Sequence, residues 1–108
     1  MITYEQAKNI MTQVFEECNR LREAGQKEYA QSIDNALANF ERVAGHTGVT
    51  REQVLLVYLS KHMDGIHSYV KGHKSQRESV EGRINDAIVY LVLLRCMVED
   101  IYQDPDMP

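Results

Sequence analysis

Proline is almost missing from this sequence. Both prolines stand behind Asp104, so no residue before the tail forbids a helix. Strand-type alternation of apolar and polar residues is also lacking, and helix formers dominate, which predicts an all-α fold. Cysteine is scarce. Cys18 and Cys96 are the two in the chain, each among apolar neighbours at helical spacing. They read as packed thiols in a reducing compartment rather than as a disulfide or a catalytic nucleophile. No long hydrophobic run exists either. The longest, Ala87 to Leu94, ends at Arg95 and is far too short to span a bilayer. The opening Met1-Ile2-Thr3-Tyr4-Glu5 lacks a basic segment followed by an apolar one. No secretory signal is expected, and the cytoplasm is the predicted compartment. Positive charge is in deficit, and a net charge of −4 argues against general binding to DNA or RNA. A Gly-rich phosphate cradle, a zinc knuckle and a nucleophile motif are absent too. Ser, His and Asp are too scattered to make a triad.

What remains is ordinary globular material. The chain has 108 residues, of which 44% are apolar, enough for one core without disulfide or metal staples. The expected layout is a single helical domain over residues 1–103 and a frayed acidic tail over 104–108. The predicted architecture is a compact bundle of three long helices plus one short helix.

Thr3 with Gln6 forms a capping box for the first helix, on which Ala7, Ile10, Met11, Val14, Cys18 and Leu21 make one apolar stripe. Gly25 reads as its stop, and residues 26–32 as loop or a loose turn. Leu37, Phe40, Val43 and Ala44 give a shorter helix that ends at Gly45-His46-Thr47-Gly48. Thr50 with Gln53 caps a third helix running from about Arg51 to Lys71 and stopping at Gly72. Its stripe holds Leu55, Tyr58, Leu59, His62, Met63, Ile66, Tyr69 and Val70. Gly65 interrupts it at a cost of about 1 kcal/mol relative to Ala, as a glycine does where another group must come close. Ser79 caps a fourth helix from Val80 to about Gln103.

That fourth helix is apolar nearly all round. Its main face carries Ile84, Ala87, Ile88, Leu91, Leu94 and Val98, and a second face carries Val89, Tyr90, Leu93 and Met97. Such a helix is either central or packed on another subunit, so a homo-oligomer is expected.

Four features carry candidate chemistry. His62 lies on the core-facing stripe of the third helix, as a satisfied core histidine or as a ligand contact. Lys61, Asp64 and His67 flank it. His62 and His67 are five residues apart and point about 140° away from each other, so they make no metal pair. Asp86 and Tyr90 sit one turn apart on the second face of the fourth helix. There Asp86 needs a partner, with Lys61 or Arg83 as candidates, and either forms a structural ion pair or lines a polar pocket. Arg95 falls on the main apolar stripe, where a buried guanidinium must be paired, with Glu17 as candidate. The loop Lys71-Gly72-His73-Lys74-Ser75-Gln76-Arg77 brings three positive charges to the start of a helix. It is either a solvated basic loop or an anion site.

Several short runs resemble one family. They are Glu28-Tyr29-Ala30, Asn39-Phe40-Glu41-Arg42-Val43-Ala44, Lys61-His62, and Arg83-Ile84-Asn85-Asp86-Ala87-Ile88-Val89-Tyr90-Leu91. Together they are similar to small helical proteins of tailed phages, the nucleotide-modification-associated domains. The resemblance spans about Tyr29 to Val98 and implies an all-helical fold linked to phage nucleotide biology. Asp64 stands where that family often has a basic residue. The MazG-like nucleotide pyrophosphohydrolases are a more distant comparison. Their magnesium site uses a Glu-Glu-x-x-Glu run and a later Glu-x-x-Asp. Here Glu16-Glu17 is followed by Arg20, and Glu81 by Ile84, in place of the required acids.

The functional expectation is a non-catalytic, homo-oligomeric, phage-type protein that binds a small phosphorylated nucleotide-like ligand, such as a signalling nucleotide sequestered from host defence. Lys71, Lys74 and Arg77 would hold phosphate. Lys61, His62, Asp86 and Tyr90 would line the site, with Tyr29, Tyr69 and Tyr90 available for base stacking. No catalytic residue, metal or cofactor is assigned, and no membrane is involved. Two alternatives stand beside it. One is a metal-dependent nucleotide pyrophosphohydrolase-like enzyme using Asp64, His67 and Asp86. The other is a protein-binding module whose fourth helix docks on a host protein.

Overall fold

The computed structural model describes residues 1–30 and 34–103, and the structural statements below concern those residues. The expected frayed tail at 104–108 lies outside them. The fold is all-helical: α1 (Tyr4–Gly25), a π-helical turn (Gln26–Ala30), α2 (Ala38–Thr47), α3 (Arg51–Val70) and α4 (Val80–Gln103). No strand occurs among the described residues, and no helix there is long and apolar enough to cross a membrane.

Local signals account for the helix starts. Both capping boxes form. Gln6 N–H donates to Thr3 Oγ1 and Thr3 N–H donates to Gln6 Oε1. Thr50 and Gln53 do the same for α3. Ser79 Oγ accepts from Gly82 N–H at 3.0 Å and so opens α4. At α2 the signal is indirect, because Asn35 Oδ1 accepts from Leu37 N–H at 3.0 Å and turns the chain into the helix.

Gly25 does not stop α1. The chain stays right-handed at Gln26 and widens into the π-turn. Side chains hold this turn. The Arg22 guanidinium donates to Gln26 and to the carbonyl of Ala36 at 3.1 Å, and Gln26 Nε2 donates to the carbonyl of Asn35 at 3.2 Å. A polar segment that reads as loop is thereby fixed against the approach to α2.

The core lies among α2, α3 and α4. Leu37, Phe40, Val54, Leu55, Leu93 and Met97 form one buried cluster, with Tyr58 and Tyr90 packed against it. Phe40 meets Tyr58 at 6.0 Å and the edge of Tyr90 at 6.2 Å between ring centres, within the range of favourable aromatic pairs. Full burial of each large side chain contributes about 1.5–3 kcal/mol. At the rim, Arg51 ties the three helices together through Glu41 at 3.1 Å, Glu52 at 3.3 Å and Asp100 at 2.9 Å.

Two sequence expectations are corrected here. The second face of α4 is the one that enters the core, with Leu93 and Met97 buried, while of the expected main face Ala87 is buried and Leu94 packs on the core but Ile84, Leu91 and Val98 are exposed. Arg95 follows that main face outward. Its side chain is 75% exposed and pairs with Glu99 one turn on, not with Glu17. Exposed pairs of this kind contribute only a fraction of a kcal/mol.

Among the other helices, α1 packs along α4. Cys18 is buried there, with Sγ 3.7 Å from the carbonyl of Asn85, and Asn85 Nδ2 donates to Glu17 Oε2 at 2.6 Å. A hydrogen bond from Gln13, and then the one from Asn85, hold the Glu17 carboxyl below its usual range. The remaining stripe of α1 stays open: Ile10, Met11 and Leu21 are exposed. Cys96, expected to be packed, is exposed as well. The molecule is accordingly drawn out, 52 × 29 × 28 Å, with a radius of gyration of 16.1 Å against about 13 Å for a compact domain of this length.

Candidate functional site

The widening at the π-turn leaves a cleft of about 410 Å³ between the end of α1 and the paired α3 and α4. One wall comes from Arg22, Glu28 and Tyr29. The facing wall is Lys61 and His62 of α3 with Asp86 and Tyr90 of α4. Asn39 and Phe40 close the α2 side, and Glu78, just ahead of α4, closes the other.

Four of the residues singled out from the sequence therefore share one site: Lys61, His62, Asp86 and Tyr90. Tyr29 joins them. Tyr69, Lys71, Lys74 and Arg77 do not line this cleft. Lys74 Nζ lies 5.2 Å above the Tyr69 ring in a cation–π contact, and Lys71 is the C-terminal cap of α3. The loop is anchored by Gln76, whose Nε2 donates to the carbonyls of Gly65 at 3.0 Å and His73 at 2.9 Å.

His62 is the most constrained group of the site. It is 8% exposed, and its ring lies 5.5 Å from the Tyr90 ring. Its Nδ1 stands 3.5 Å from Asp86 Oδ2 but makes no hydrogen bond. Leaving a buried polar atom unpaired costs about 1–3 kcal/mol. The group at ion-pair distance from Asp86 is this histidine, while Lys61 and Arg83 act on it through charge alone. Burial drives the Asp86 carboxyl above its usual range, and Glu78 adds to the rise. His62, Lys61 and Arg83 oppose it without cancelling it. Burial likewise raises the Tyr90 phenol, helped by Asp86, Tyr58 and Tyr29.

Arg83 has a positioning role instead. Its Nε donates to Gln76 Oε1 at 2.9 Å, and its Nη1 lies 3.7 Å from Glu78. It reaches both by lying directly across Gly65, where a Cβ would come within 2.4 Å of its side chain. The helix-interrupting glycine thus admits a side chain from the next helix, and that side chain holds Glu78 at the cleft.

Sequence reasoning missed Arg22, Glu78 and Asn39 as site residues. Asn39 and Glu28 appear in the runs that carry the family resemblance. Arg22 and Glu78 gave no usable signal, because Arg22 stands on α1 and Glu78 in the loop ahead of α4, so helical periodicity relates neither to His62 or Asp86. Asp64 and His67 are exposed on α3 and do not line the cleft. Comparison with protein-family models, curated proteins and solved structures finds no match to this chain.

Proposed function

We propose that this chain binds a small phosphorylated, nucleotide-like ligand in the cleft between the π-turn and the α3–α4 pair. It would act without catalysis, as a sequestering protein of the phage type that its sequence resembles. The observation that carries this reading is the convergence of Tyr29, Tyr90, Lys61 and Asp86 on one cleft. A nucleotide needs an aromatic surface for the base, a cation for phosphate and a polar acceptor for base or sugar. Those groups are here within one volume. Base stacking on an aromatic side chain contributes about 1–3 kcal/mol.

The assignment moves the phosphate contact away from the loop. Lys61 and Arg22 are the cations that line the cleft. Arg22 is half committed to the Ala36 carbonyl, which leaves Lys61 as the adaptable partner. The start of α4 is a weaker anion site than its position suggests, since the Gly82 N–H is already taken by Ser79.

Melting temperatures over a panel of linear and cyclic nucleotides test the reading, alongside mass spectrometry of molecules that co-purify. At least one nucleotide is expected to stabilise the protein. Tyr29→Ala and Lys61→Ala are each expected to weaken that ligand by about tenfold or more. Lys71→Ala, Lys74→Ala and Arg77→Ala combined are expected to leave it unchanged. A panel with no stabilising nucleotide, or a loss confined to the loop variant, overturns this site.

A further inference from the structure

Three carboxylates line the cleft against two cations, a poor setting for phosphate unless a further positive charge is supplied. Glu28, Glu78 and Asp86 face Lys61 and Arg22. Two of those acids and the histidine lie together. One ring nitrogen of His62 and one carboxylate oxygen each of Glu78 and Asp86 are all within 4.8 Å of one another. They come from three separate stretches of chain: α3, the loop before α4, and α4 itself.

We propose that His62, Glu78 and Asp86 bind one first-row divalent transition-metal ion, with zinc as the best fit. The second observation beside the cluster is the histidine atom. His62 is 8% exposed, and its Nδ1 is buried with no hydrogen-bond partner. With the ring proton on Nε2, Nδ1 offers a lone pair on the side of Asp86 Oδ2, 3.5 Å away. A metal ion satisfies that atom and both acids at once.

The distances suit such an ion. Two ligands bound about 2.0–2.1 Å from a tetrahedral zinc stand about 3.4 Å apart, and His62 Nδ1 and Asp86 Oδ2 are 3.5 Å apart. Glu78 closes the remaining gap. Its side chain is 48% exposed, so it can swing inward, and it lies 3.7 Å from Arg83, which is itself anchored by Gln76. One imidazole nitrogen with two carboxylates favours zinc or its first-row neighbours over magnesium and calcium, which take oxygen ligands. Three protein ligands leave one coordination position open, and all three residues line the cleft. A phosphate oxygen fits that position. This last step rests on the nucleotide reading; the metal site does not.

The test is calorimetric titration of the chelator-treated full chain with zinc chloride. The melting temperature and the ring-nitrogen NMR resonances of the four histidines are followed in parallel. One zinc per chain is expected, with a higher melting temperature and the largest resonance shift at His62 Nδ1. Glu78→Gln alters an exposed side chain and is expected to fold as the parent does. It and Asp86→Asn should each weaken zinc by more than about tenfold, while His67→Gln leaves binding unchanged. Absence of saturable binding overturns the site. So does binding that survives both carboxamide variants, or a shift centred on His46, His67 or His73. The titration uses metal alone, so its failure is separate from a failure of nucleotide binding.

Discussion

One nitrogen atom and one carboxyl group set the energetics of the cleft. His62 Nδ1 is buried beside a partner it does not hydrogen-bond. Asp86 is held with its carboxyl above the usual range by burial first, and by Glu78 second. A carboxyl raised in the folded state binds its proton more tightly there than in the unfolded chain. The contribution of Asp86 to stability is therefore fully present below the unfolded carboxyl's range and is lost as pH rises through the raised native value. Asp86→Asn is expected to raise the melting temperature of metal-free protein at neutral pH. The gain should shrink toward zero as pH drops into the ordinary carboxylate range. A variant that melts lower than the parent at neutral pH would show that the His62–Asp86 attraction outweighs the burial cost. His62 and Asp86 were legible as polar residues on apolar helix faces. Arg95 misled for the same reason, since its place on an apolar stripe says nothing about which stripe is inside.

Helix termini were written locally, and the two glycines near the end of α2 separate local from tertiary effects. Gly48 adopts φ +77°, and a Cβ there would meet no atom within 4 Å. The cost of a side chain is then purely that of the left-handed backbone, about 1–2 kcal/mol. Gly45 lies inside α2, also has open space, and is exposed. Gly48→Ala is expected to destabilise by about 1 kcal/mol. Gly45→Ala is expected to stabilise by about 0.5–1 kcal/mol through helix propensity and a less free unfolded chain. Denaturant midpoints measured in parallel check both signs. Gly25 shows the limit of such reasoning. A stop signal is only a preference, and the hydrogen bonds of Arg22 and Gln26 to the chain before α2 carry α1 onward into the π-turn. That continuation places Glu28 and Tyr29 on the cleft wall.

As a whole the molecule exposes more surface than its mass calls for. Its accessible area is 8239 Å², against about 6,100 Å² for a compact monomer of 12.4 kDa. Ile84, Leu91 and Val98 form an exposed stripe at seven-residue spacing on α4, and Ile10, Met11 and Phe15 are exposed on α1. We propose that copies of the chain associate through these faces. Sedimentation at micromolar concentration is expected to give a defined oligomer, and Leu91→Lys with Val98→Lys a monomer. A parent that sediments as a monomer removes this proposal and leaves the cleft as a feature of the single chain.

The all-helical class, the capping boxes, and the starts of α1, α3 and α4 followed from the sequence, because capping and apolar periodicity act over three or four residues. The tertiary structure alone decided which face of α4 is buried, that Arg95 lies outside, and that Glu78 and Arg22 stand beside His62 and Asp86. Two apolar faces on one helix are equivalent until another helix covers one of them. Residues far apart in sequence acquire a shared chemistry only when packing closes the distance.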